Sequence, residues 1–88
     1  MIIVSQDKDK IVNFDNIAHI FISKDSEKHY LIEYGKMNGS SELLGIYVTE
    51  ERAKEVLQEI INKYKQWNKD DNNAVTIMPK VYEMPVER

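Results

Sequence analysis

The hydrophobic period of this chain changes sharply at Thr49, and that change constrains its class more than any other feature. Before Thr49, apolar residues come in short runs or at every second position, separated by polar turns. After it they fall at Val56, Leu57, Ile60, Ile61, Tyr64 and Trp67, the spacing of one helical stripe. Thr49 is a good N-cap, and Glu50 and Glu51 stand where the helix dipole favours negative charge. Arg52 holds the position where a capping box has Glu or Gln, so the cap is expected to be simple. Glu50 with Lys54 and Glu59 with Lys63 form i,i+4 pairs on the wet side, each worth about 0.2–0.5 kcal/mol. "NKDDNN" then stops the helix.

Upstream, "MIIV" and "KIVN" flank the polar turn "SQDKD" and are expected to pair as a hairpin. In "NIAHIFIS" both faces are apolar, with Ile17, His19 and Phe21 opposite Ala18, Ile20 and Ile22, which predicts a central strand. "HYLIEYGKM" alternates, "NGSS" is a hairpin turn signal, and "ELLGIYV" carries Gly45 where a bulge or close approach is expected. After the helix, "AVTIMPKVYEMPVE" alternates again, and Pro79 confines it to a short or edge strand. The expectation is an α+β domain spanning residues 1–88: an antiparallel β-meander of about four strands, one long amphipathic helix on one face, and a short C-terminal strand.

One domain follows from 88 residues, since two cores would each be too small. The absence of cysteine removes disulfides and thiolate metal sites. A formal charge of −3 argues against a general nucleic-acid binder, and the start "MIIVSQD" lacks the basic region of a signal peptide. No apolar run is long enough for a membrane span, so a cytoplasmic protein is expected.

Little in the sequence has the form of a catalytic site. In "SQDKDKIVNFDNI", Ser5 would need a histidine base, and no flanking glycines build a nucleophile elbow. Asp7 and Asp9 begin like a calcium loop, but Ile11 stands where the third oxygen ligand belongs. Asp15 and Asn16 are read as turn residues too. His19 and His29 alone do not make a zinc site. Glu50 and Glu51 are explained by the helix dipole. Gly35, Gly39 and Gly45 form no phosphate-binding loop. No catalytic residue, cofactor or metal is therefore expected.

The aromatic residues are more informative. Tyr30, Tyr34, Tyr47, Tyr64, Trp67 and Tyr82 are many for so short a chain. Most are expected between sheet and helix, and any left exposed would suit an interface. Candidate partner-binding residues are Tyr30, Tyr34, Tyr47, Trp67, Tyr82 and Met84. Aromatics near Lys24, Lys28, Lys36 and Lys80 also suit stacking on single-stranded nucleic acid.

Three stretches, "SQD", "LGIYVTEERAKEVLQEI" and "YEMP", together resemble a set of short proteins of Gram-positive bacteria and their prophages. The resemblance spans nearly the whole chain and implies a bacterial or phage intracellular origin. It carries no catalytic residues, because its motifs are a turn, a helix entry and an edge strand. The expectation is a small non-enzymatic protein-interaction module, with a nucleic-acid-binding accessory protein or an inhibitor of a bacterial defence system as alternatives. Ile11, Ile20, Ile22, Leu31 and Leu44 exceed what one buried face requires, so a second apolar face, covered by a protein partner or by another copy in a homodimer, is also expected.

Overall fold

The structure, a computed structural model, describes residues 1–69 and 81–86, the side chains of residues 66–69 excepted. The elements run β1 (Ile2–Val4), β2 (Ile11–Asn13), a 3-10 turn (Phe14–Asn16), β3 (His19–Lys24), β4 (Tyr30–Gly35), β5 (Ser41–Tyr47), α1 (Glu50–Lys69) and β6 (Val81–Glu83). This is an α+β fold with a meander, as the change from strand to helix period at Thr49 implies. The strands form two three-stranded sheets, ordered β2-β1-β6 and β3-β4-β5.

The smaller sheet is the expected hairpin plus the closing strand. β1 pairs antiparallel with β2, Ile3 opposite Val12, and parallel with β6, Ile3 opposite Tyr82. The closing strand therefore lies at a sheet edge, as expected, while Pro79 falls outside the described residues.

The larger sheet is an antiparallel meander. Its first turn is held by Asp25, whose Oδ1 accepts from the backbone N–H of both Glu27 (2.9 Å) and His29 (2.8 Å). Its second turn uses Gly39 at φ 95°, the left-handed conformation expected of "NGSS". One expectation is corrected here: His19–Lys24 is an edge strand, and Tyr30–Gly35 is the central one. Both faces of β3 carry apolar side chains, but Ile20 and Ile22 pack against the core while Phe21, half-buried, lies on the other side.

Between Ile32 and Glu33 of β4 the register with β5 shifts, Ile32 pairing with Gly45 and Glu33 with Leu43, which leaves Leu44 as the extra residue. A Cβ on Gly45 would stand 3.0 Å from the Tyr47 ring and 3.3 Å from Met84 Cε. Both readings of Gly45, bulge and close approach, are thus met.

Helix α1 starts where the sequence places it, with the Thr49 hydroxyl accepting from the Arg52 N–H at 3.1 Å. Its buried line is Ala53, Val56 and Ile60, with Tyr64 packed alongside. Ile61, assigned to the stripe from spacing, is 41% exposed, and the Trp67 side chain lies outside the described residues. Glu50 does pair with Lys54. Glu59, paired with Lys63 in the sequence reading, instead accepts from the Tyr82 hydroxyl (2.6 Å) and lies 3.7 Å from Arg52. The core joins both sheets to this helix: Ile3 and Val12 from one, Ile32, Leu44 and Tyr47 from the other, with Met84 between. Fully burying a side chain such as Ile32 or Ile60 is worth about 1.5–3 kcal/mol.

Candidate functional site

The acidic opening turn is closed on itself. Ser5 is buried; its hydroxyl donates to Asp9 Oδ1 (2.9 Å) and accepts from the Lys10 N–H (3.1 Å). Asn13 accepts from the Asp15 N–H at 3.0 Å, capping the 3-10 turn. These are the local side-chain-to-backbone bonds that Ser, Asp and Asn make in turns. A depression beside them, lined by Ser5, Asp9, Lys10 and Leu43, is too small for a substrate-sized ligand.

The two histidines are far apart in register. His19 pairs with Gly35 at one end of the β3–β4 ladder, and His29 precedes Tyr30, opposite Lys24, at the other. Asp25, Glu27 and His29 do bring one ligand atom each within 4.8 Å of one another. Asp25 already serves the turn, however, and the His29 N–H bond in particular holds its carboxyl below the usual carboxylate range.

The aromatic residues divide. Tyr34, Tyr47 and Met84 are core residues, and the Tyr47 hydroxyl donates to the Pro85 carbonyl at 2.9 Å. Tyr82 is half-buried with its hydroxyl on Glu59, and burial pushes its pKa well up. Tyr30 packs at the core margin with Lys24 Nζ 5.5 Å from its ring centre. Among the described candidates, the aromatics serve chiefly to fill the space between sheet and helix.

The stretches that carry the sequence resemblance meet at one junction. The Gln6 N–H donates to the Leu44 carbonyl (2.8 Å). The Gln6 side-chain amide accepts from the Ile46 N–H (2.8 Å) and donates to the carbonyls of Ile46 (3.1 Å) and Pro85 (3.0 Å). Lys8 pairs with Glu83 at 2.8 Å. "SQD", "LGIY" and "YEMP" are thus parts of one seam that ties the two sheets together.

What remains open is the outer face of β3-β4-β5. Alternation turns Ile20, Ile22, Ile32 and Tyr34 to the core, so Phe21, Leu31 and Glu33 project outward. Register adds Leu43 opposite Glu33 and Ile46 opposite Leu31. The result is an apolar set, Phe21, Leu31, Leu43 and Ile46, around one carboxylate. Glu33 is fixed there by hydroxyls on either side, Ser23 donating to Oε2 and Ser41 to Oε1. At one end the His19 ring stacks on Phe21, centroids 5.1 Å apart, and lies over Gly35, where a Cβ would stand 2.3 Å from it. Ile46 is 41% exposed, and Phe21, Leu31 and Leu43 are half-buried, none of them part of the core cluster.

Of these residues the sequence reading singled out only Leu31 as surplus to the core. Phe21, Leu43 and Ile46 could have been found by carrying the alternation of Phe21 and of Leu31–Glu33 across the "NGSS" hairpin. The bulge at Leu44 then shifts the phase by one residue. Comparison of the chain with protein-family models, with curated proteins and with solved structures found no match.

Proposed function

We propose that the chain is a small non-enzymatic protein-interaction module, of bacterial or prophage origin and cytoplasmic, that receives a protein partner on the outer face of β3-β4-β5. The observation that carries this reading is the apolar set Phe21, Leu31, Leu43 and Ile46, with Ile46 41% exposed and the other three half-buried, on the sheet face turned away from the core cluster. An apolar patch rimmed by fixed polar groups is the usual make-up of an interface centre. Glu33, positioned by Ser23 and Ser41, adds one oriented acceptor for a partner's donor. Inhibition of a bacterial defence system is a special case of such binding. Nucleic-acid binding has the contact of Lys24 with Tyr30 in its favour, but the chain's charge of −3 weighs against it.

The test is affinity capture from a Gram-positive lysate, with and without nuclease, using the wild type and the double variant Leu31→Ser/Leu43→Ser. The expected result is one nuclease-resistant protein that the variant no longer retains. Retention by the variant would remove this face from the proposal, and loss on nuclease treatment would bring nucleic acid forward.

A further inference from the structure

The two sheets have four edges, and three of them are short or closed. β2 and β6 are three residues each, too short to offer much to another strand. β5 is closed along its second half by Gln6, which occupies the Leu44 carbonyl and both backbone groups of Ile46. β3 is different: six residues, His-Ile-Phe-Ile-Ser-Lys, with no proline and with its only full charge at the last position.

The open backbone groups of β3 can be assigned. The Asp25 N–H donates to the His29 carbonyl at 3.0 Å, so the odd-numbered residues of β3 bond to β4. The N–H and C=O groups of Ile20 and Ile22 therefore project to the free edge. No described residue pairs with them.

The sequence of this edge is complementary to itself. Antiparallel pairing of β3 with β3 of a second copy, centred on Phe21, places Ile20 opposite Ile22 twice and His19 opposite Ser23 twice. Lys24 then meets Ala18. Ile20 meets Ile22, polar His19 meets polar Ser23, only the terminal Lys24–Ala18 pair is mixed, and no like charges oppose. Phe21 meets its own equivalent at a non-hydrogen-bonded position, where side chains approach most closely. Each Ile20–Ile22 pair exchanges both of its backbone hydrogen bonds.

We propose that β3 is a self-pairing edge that joins two copies of this chain through a two-fold axis at Phe21, giving one continuous six-stranded sheet. The contact is isologous, so it closes at two copies and does not propagate. It also brings the two outer faces side by side, with the two Phe21 side chains adjacent at the axis and a Glu33 beside each. The inference goes beyond the proposed partner and does not require it: self-association is read on the purified chain, partner capture on Leu31 and Leu43.

The experiment is sedimentation of the purified chain over a concentration series, for the wild type, Phe21→Lys, Phe21→Glu and an equal mixture of the two variants. The wild type is expected to reach twice the monomer mass. Each charge variant sets like charges against each other at the axis and stays a monomer, and the mixture, with opposite charges there, returns to the doubled mass. Recovery in the mixture also shows that both variants are folded. In hydrogen exchange the Ile20 and Ile22 amides lose their protection in Phe21→Lys, while the Phe21 and Ser23 positions, which bond to β4, keep theirs. A wild type that stays monomeric at every concentration overturns the proposal. So does a dimer that both variants leave intact, or one that the mixture fails to restore.

Discussion

Two residues show how local chemistry sets the limits of this fold. Gly45 was legible in the sequence because a glycine inside a strand pattern marks a bulge or a close approach, and here it marks both. Tyr47 is fully buried with its hydroxyl committed to Pro85, so its ring cannot retreat from an added methyl. Gly45→Ala is expected to cost about 1–3 kcal/mol, the range for overpacking a filled site. A urea midpoint lowered without a change in slope would confirm it; an unchanged midpoint would mean that Tyr47 and Met84 have room to shift. Gln6 was not legible. In "SQDKD" it has the look of any turn residue, and its partners are 40 and 79 positions away. Nothing in a local pattern announces a contact of that range.

Among the elements, the helix was the most legible, because its cap, its dipole-facing acids and its apolar stripe all act within a few residues. Its pairing of Glu59 failed for the opposite reason: Tyr82, from the far end of the chain, reaches the carboxylate. β3 was misread as central because apolar residues on both faces look alike whether the second face is covered by the protein or left open. Edge and centre differ only in backbone pairing, which side-chain pattern does not encode. The same physics gives β5 a test. Gln6 supplies the hydrogen bonds that a neighbouring strand would make to Ile46. Gln6→Ala removes that seam, and at about 0.5–1.5 kcal/mol per hydrogen bond, with water reaching part of the exposed groups, the loss should be about 1–3 kcal/mol. The variant also opens a second strand edge, so it should aggregate at concentrations the wild type tolerates. Light scattering against concentration reads this directly, and equal scattering from both proteins would show that Gln6 does not guard the edge.

At the scale of the whole molecule, the class was legible and the partition into two sheets was not, since the parallel pairing of β1 with β6 joins opposite ends of the chain. Its titrating groups then shape stability from both sides of neutrality. The His29 N–H bond lowers Asp25, and hydrogen bonds from Lys36 and Lys8 lower Glu42 and Glu83, from ordinary values of 3.8 for Asp and 4.5 for Glu. A carboxyl lowered in the folded state contributes stability that is present above its unfolded value and is lost as pH falls through the folded one. The acid limb therefore begins below about pH 4.5. In the other direction, burial raises the Tyr34 and Tyr82 hydroxyls above 10.0, and the hydrogen bond to Glu42 raises Lys36 above 10.5. Groups raised in the folded state contribute stability that is complete below their unfolded values and lost as pH rises through the folded ones. The urea midpoint should be flat from about pH 5 to 9 and fall on both sides. Asp25→Asn keeps the oxygen that accepts from Glu27 and His29 while removing the titration, so it should flatten the acid limb. Tyr82→Phe should flatten the alkaline limb and remove one phenol that ionises late, seen as phenolate absorbance appearing only with unfolding. If both variants keep the slopes of the wild type, the turn at Asp25 and the packing of Tyr82 against α1 are not where the protein couples proton binding to folding.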